Sequence, residues 1–194
     1  FGVDALRYFL LREVTFGQDG SYSAEAIVAR VNAELANSFG NLAQRTLSMI
    51  FKNLDGVIPE AGEVEEDKAL LAQVEQACAT LDEEFQRFAF SAGLEAWMAA
   101  VFACNQYVDA TAPWALRKTD PDRMAQVLGT LVVAIRQLTV AVAPIIPGSA
   151  DKLLTLIDSG QGGQPIAQPQ PIFPRLELPA EEGEAASPSS GQAA

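Results

Sequence analysis

The chain has 194 residues, 49% of them hydrophobic, enough to bury one sizeable core. It has no histidine and only two cysteines, so the commonest general base and metal ligand are missing and no zinc site can be assembled. The net charge of −12 opposes bulk phosphate binding. However, residues 61–100 carry nine acids against two bases, while residues 101–158 carry five of each.

Residues 3–13 read as a short helix. The chain opens at Phe1, inside this helical pattern, with no initiator Met and no signal-peptide pattern, and reads as a cut or an incomplete reading frame. Residues 15–20 carry two glycines and an Asp-Gly pair and read as a loop. Ser23 is a predicted N-cap, with Glu25 in the first turn where the helix dipole favours an anion. It opens a long helix to about Asn53, with Val28, Val31, Leu35, Phe39, Leu42, Thr46 and Met49 on one stripe. Gly40 costs this helix ~1 kcal/mol relative to Ala and marks close packing or a bend. Asp55-Gly56 and Pro59 end it.

A second helix is predicted over about 65–90, with the seam Leu71, Val74, Cys78, Leu81, Phe85 and Phe88. A third, over about 94–112, carries Leu94, Met98, Val101, Asn105 and Val108, and Pro113 interrupts it. Asp120-Pro121, an N-cap followed by proline at the first helical position, opens a fourth with Met124, Leu128, Leu131, Ile135, Leu138 and Val142. Pro144 and Pro147-Gly148 close it, and Ser149 is expected to cap a last short helix. The apolar run 127–147 contains Thr130, Arg136, Gln137 and Thr139, so it reads as a buried helix and not as a membrane span. Cys78 and Cys104 lie in helical apolar patterns and read as buried thiols, which suits a reducing cytoplasm.

With no β alternation of any length, the fold class is all-α, an antiparallel helical bundle. After Asp158 the composition shifts to Gly, Gln, Pro and Ser. This tail, 159–194, carries an apolar island expected to dock near 171–177 and is otherwise expected to be disordered.

Asn41 and Arg45, four apart, share a helix face at the edge of the apolar stripe, and Asn37 extends the row. An amide and a guanidinium together can read a base edge; the same row can equally tie neighbouring helices together. Trp114 follows Pro113 at a helix break, where its ring can stack on an unpaired base or pack in the core. Arg117 and Lys118 are surface cations that could meet a phosphate beside such a ring. Any RNA contact would rest on stacking and base-edge hydrogen bonds more than on net charge. Trp97 is assigned to packing. The acids Glu63, Glu65, Glu66 and Asp67, with Asp82, Glu83 and Glu84, read as a solvated helix face and not as catalytic carboxylates.

Residues 1–14 (FGVDALRYFLLREV), residues 15–20, the stretch Asn41-Leu42-Ala43-Gln44-Arg45 and the stretch 105–114 ending in Ala112-Pro113-Trp114 follow one another in an order and spacing that resembles methionyl-tRNA synthetase. The resemblance covers residues 1 to about 158 and returns at 171–177. It implies the helical anticodon-binding region of a class I synthetase whose catalytic domain attaches methionine to tRNA with ATP and magnesium. It implies residues 1–20 as the end of the connection from that domain, 21–158 as the anticodon-binding bundle, and the initiator and elongator methionine tRNAs as partners. Trp114 would stack on an anticodon base, Asn41 and Arg45 would bond the edge chiefly of its first cytosine, and Pro113 would set the position of Trp114. The family's histidine-containing and lysine-rich catalytic signatures are absent, so no catalytic residue, cofactor or metal site is expected within this chain. The zinc knuckle of some members is absent too, as is the appended C-terminal tRNA-binding module through which some members dimerise, which leads us to expect a monomeric parent. The thiols and the interrupted apolar run lead us to expect a cytoplasmic protein without a membrane contact. The rival readings are the helical domain of the isoleucine, valine, leucine or cysteine enzyme, and a structural helical domain with no RNA role.

Overall fold

The computed structural model describes residues 1–13 and 22–178. The predicted loop at 15–20 and the tail beyond Leu178 lie outside the described residues. Within them the regular structure is helical, apart from one isolated antiparallel bridge between Val57 and Pro165.

Helix α1 (Val3–Glu13) buries Ala5, Tyr8 and Phe9, a stripe at spacings of three and one. Ser23 caps α2 (Ala24–Val31), its hydroxyl accepting from the Ala26 amide at 3.0 Å. The long helix expected from this point to Asn53 is continuous in direction but not in winding. A π-helical segment, Asn32–Gly40, separates α2 from α3 (Asn41–Asn53). Gly40 sits at its end as a close-packing position. A Cβ there would lie 3.0 Å from the Phe173 ring and 2.8 Å from the Leu35 carbonyl. Glu34, on the same wide turn, is buried and fully engaged: it accepts from Tyr8 Oη (2.6 Å), Arg12 Nε (3.1 Å) and Arg30 Nη1 (3.0 Å). Burial, and then the Glu34 charge, push the Tyr8 phenol well above its ordinary range.

Helices α4 (Glu65–Gln86) and α5 (Phe90–Thr111) form an antiparallel hairpin. The break falls at residues 87–89, earlier than the pattern predicts. It is a Schellman closure: the Ala89 amide reaches the Glu84 carbonyl (2.8 Å), the Phe88 amide reaches the Phe85 carbonyl (3.1 Å), and Phe88 takes the left-handed conformation at φ 60°. Phe88, expected on the buried seam, is therefore turned outward and is 58% exposed. Asp67 also departs from its predicted place. It lies on the inner face of α4, fully buried, and takes two bonds from Arg123 (2.6 and 2.7 Å) and one from the Tyr107 hydroxyl.

Helix α6 (Pro113–Thr119) is a short connector to α7 (Pro121–Val142). Asp120 caps α7, accepting from the Arg123 amide at 3.0 Å. Helix α7 is long and apolar enough to cross a membrane. Here it is the axis of the bundle, packed against α3, α4, α5, α6 and α8, with Met124, Leu128, Leu131, Ile135, Leu138 and Val142 buried. The loop before α4 crosses it at Gly129, where a Cβ would lie 2.2 Å from the Glu60 carbonyl. Helix α8 (Pro147–Asp158) begins two residues before the predicted cap. Ser149 lies inside its first turn, and the free amides there are taken by Asp4 of α1: Ser149 N at 2.6 Å and Gly148 N at 3.3 Å. Both cysteines are free thiols, Cys78 half-buried and Cys104 buried, and burial pushes the Cys104 thiol up to about 12.

After α8 the chain runs back over the bundle. Ile166 is buried and its amide reaches the Gly56 carbonyl at 2.9 Å. Further on, Leu176 exchanges two bonds with the Asn32 side chain (2.8 and 2.9 Å), and Phe173 tilts against Phe39 with ring centroids 6.0 Å apart. Packing thus begins before the 171–177 stretch.

Candidate nucleic-acid interface

The site is built where α5 stops. Ala112 takes the left-handed conformation (φ 44°, ψ 60°), which no side chain other than glycine adopts freely. Pro113 follows, buried, at the first position of α6, where its missing amide costs nothing. Bonds from the Ala115 and Leu116 amides to the Ala112 carbonyl (2.8 and 3.3 Å) complete the corner. This corner turns Trp114 outward, and its side chain is 48% exposed. One turn before the corner, buried Asp67 and Tyr107 and half-buried Arg123 form a cluster that holds α5. Burial works to raise the Asp67 carboxyl, but the bonds from Arg123 and Tyr107 outweigh it and hold the group below its ordinary range. The Tyr107 phenol is raised by burial and by Asp67, and Arg123 is raised chiefly by its bonds to Asp67.

α3 brings the other half. Leu42, Leu47 and Ile50 turn inward, leaving Asn41 and Arg45 exposed. The Arg45 guanidinium lies over the Trp114 ring, 5.6 Å from its centroid. Arg117 of α6 donates to Asn53 Oδ1 of α3 at 3.3 Å, a second tie between the two elements. The sequence pattern did not offer that tie, because Arg117 reads as an ordinary surface cation and Asn53 only as the end of a helix. Asn41, Arg45, Pro113 and Trp114 therefore come from two distant stretches onto one face. Neither Asn41 nor Arg45 spends its side-chain hydrogen-bonding groups inside the described protein. Trp97 is the opposite case: it is buried, and its indole donates to the Leu138 carbonyl at 3.0 Å. Among the described residues no cluster of three or more His, Cys, Asp or Glu is placed to hold a metal ion.

Comparison with known families matches residues 58–172 to the anticodon binding domain of methionyl tRNA ligase, and residues 1–47 to the class I (M) tRNA synthetases. The chain belongs to the methionyl-tRNA ligase family. Methionine–tRNA ligase of Rhizobium meliloti is 44% identical over 195 residues, which span 92% of this chain and 38% of the relative. The Brucella suis enzyme is 48% identical over 190 residues, 90% of this chain and 37% of the relative. Among solved structures, the apo form of Mycobacterium tuberculosis methionyl-tRNA synthetase superposes with a TM-score of 0.85 at 41% identity, over 92% of this chain and 40% of that one. The same organism's enzyme in complex with methionyl-adenylate gives 0.83 at 40% identity, over 90% and 38%. The chain thus spans about two fifths of the length of the relatives it matches.

Within this methionyl-tRNA ligase region, the candidate residues divide between the two family matches. Asn41 and Arg45 lie in the synthetase stretch 1–47, and Pro113 and Trp114 lie in the anticodon-binding stretch 58–172. Only the packing of α3 beside α6 and α7 unites them.

Proposed function

We propose that this face reads the CAU anticodon of methionine tRNAs. An anticodon base stacks on the exposed ring of Trp114, while Asn41 and Arg45 offer hydrogen bonds to a base edge, chiefly that of the first cytosine. Pro113 fixes the ring's position. The observation that carries this reading is the pairing of the Arg45 guanidinium with the half-exposed Trp114 ring, 5.6 Å apart. It combines a stacking platform with unused donors at one surface point. On this reading the parent is a cytoplasmic, monomeric ligase that attaches methionine to the initiator and elongator tRNAs with ATP and magnesium. Its catalytic domain lies outside this chain, which alone catalyses nothing.

The test is a titration with anticodon stem-loops at low, stated salt, one bearing CAU and one with a changed first base. CAU is expected to bind better, and Trp114→Ala should cost about 1–3 kcal/mol of that binding. Equal affinity for both loops would remove the specific role. The structural rival, a bundle that ignores RNA, needs a shielded Trp114, and the ring is 48% exposed.

A further inference from the structure

Val140 lies near the end of α7 opposite Pro121, about 28 Å along the helix axis from the end that follows the Trp114 corner. There α4 and α7 leave an apolar groove between them. Cys78, Leu81 and Phe85 of α4 line one bank, and Val140, Ala141 and Pro144 of α7 line the other, around two adjoining cavities of about 290 Å³ each. Leu81 and Ile145 are buried and form the floor, while Val140 stands 50% exposed above them. The α4 bank is one strip of the helix: Glu75, Cys78, Asp82 and Phe85 follow at spacings of three and four, so acid and apolar side chains alternate along the groove. Its two acids are two turns apart, about 10 Å.

The charge of this groove is uncompensated. Glu75 makes no ion pair within the described protein, and Asp82 receives only the neutral Gln86 amide at 2.8 Å. The cation on the opposite bank, Arg136, is already held by Asp158 at 3.2 Å. Around it, residues 61–100 carry nine acids against two bases, a field that repels RNA and anionic lipid alike. A second copy docking by the same face would bring acidic banks into one contact with no free cation to meet them. An apolar slot with two acids two turns apart on its rim suits a helix whose apolar stripe fills the slot while Lys or Arg, two turns apart on its edge, meet Glu75 and Asp82. We propose that the groove between α4 and α7 is the docking site for a basic amphipathic helix of a partner protein. Its distance from the Trp114 corner leaves the RNA face free, so the two partners bind without competing.

The test uses the full-length protein and two fluorescein-labelled helical peptides of about 15 residues that share one Leu-Ala stripe. One carries Lys at two edge positions two turns apart, the other Glu. Anisotropy at physiological salt should show the Lys peptide binding about tenfold tighter than the Glu peptide. Val140→Asp, at an exposed position, should weaken the Lys peptide about tenfold. Glu75→Lys/Asp82→Lys should reverse the preference, making the Glu peptide the tighter ligand. Glu63→Lys/Glu66→Lys makes the same change in net charge outside the groove and should keep the original preference. A melting temperature near that of wild type establishes that each variant is folded. Equal effects of the two charge reversals would reduce the binding to the net charge of −12 and overturn the proposal. So would failure of the Lys peptide to bind, or binding indifferent to Val140→Asp. Self-association of the protein that Val140→Asp abolishes would give the groove to a second copy and overturn it too.

Discussion

The two tryptophans mark two kinds of place in this molecule. Trp97 has edge contacts with Tyr8 and Phe39 at 6.3 and 4.9 Å, and its indole N–H is spent on a backbone carbonyl. Trp114 carries over its ring the Arg45 guanidinium, whose donors make no hydrogen bond within the described protein, and about half the Trp114 surface is open. Both are large apolar rings at the edges of helical patterns. What separates them is satisfaction: where bonding capacity is consumed internally, a residue holds the fold; where it is left over, a residue is available to a partner.

The largest test of this contrast is stability. Trp97→Ala should destabilise the bundle by about 3–5 kcal/mol in denaturant melts, whereas Trp114→Ala should stay within about 0.5 kcal/mol of wild type. A comparable loss at both would erase the distinction. Next comes the cluster under the corner. Asp67→Asn leaves Arg123 without its buried partner and should cost about 3 kcal/mol. Because the fold holds the Asp67 carboxyl below its ordinary value of 3.8, its contribution is present above that pH and is lost as the pH falls below it toward the folded value. Acid melts should therefore fall more steeply through that window in wild type than in Asp67→Asn. Arg45→Ala should cost about 1–3 kcal/mol of cognate anticodon binding and blur first-base discrimination, with no matching loss of stability; an unchanged cognate-to-noncognate ratio would remove its role. The smallest effect is expected at the corner itself. Ala112→Gly relieves a left-handed alanine and should stabilise by about 0.5–1 kcal/mol, while leaving Trp114 freer and CAU binding slightly weaker.

The helical class was legible because apolar stripes at spacings of three and four run through most of the chain. Ser23 and Asp120 announced their helices correctly because an N-cap acts through its own side chain. Signals that depend on distant residues stayed hidden. Ser149 looks like a cap, yet Asp4, far away in sequence, supplies the bonds. Asp67 sits among exposed acids in sequence, and only the arrival of Arg123 and Tyr107 makes its burial affordable. Phe88 ends a helix in a conformation usually given to glycine, so composition conceals the stop. At the surface site, the break at Pro113 and the pairing of Asn41 with Arg45 could be read locally. Their meeting could not, since it is made by α3 lying beside α6.

The π-helical turn at Asn32–Gly40 gives winding a meaning in this helix. A wide turn holds an extra residue without breaking the helix. Deleting one residue there would let ordinary α-helical bonding resume, so the helix itself would survive. The residues after it would keep nearly the same phase, whereas winding the same Asn32–Gly40 residues as ordinary α-helix would turn everything after them by about 100° about the axis, carrying Asn41 and Arg45 away from Trp114 and Leu42, Leu47 and Ile50 out of the core. The segment therefore acts as a phase setting: its wide winding, which absorbs an extra residue, decides which way the following three turns face.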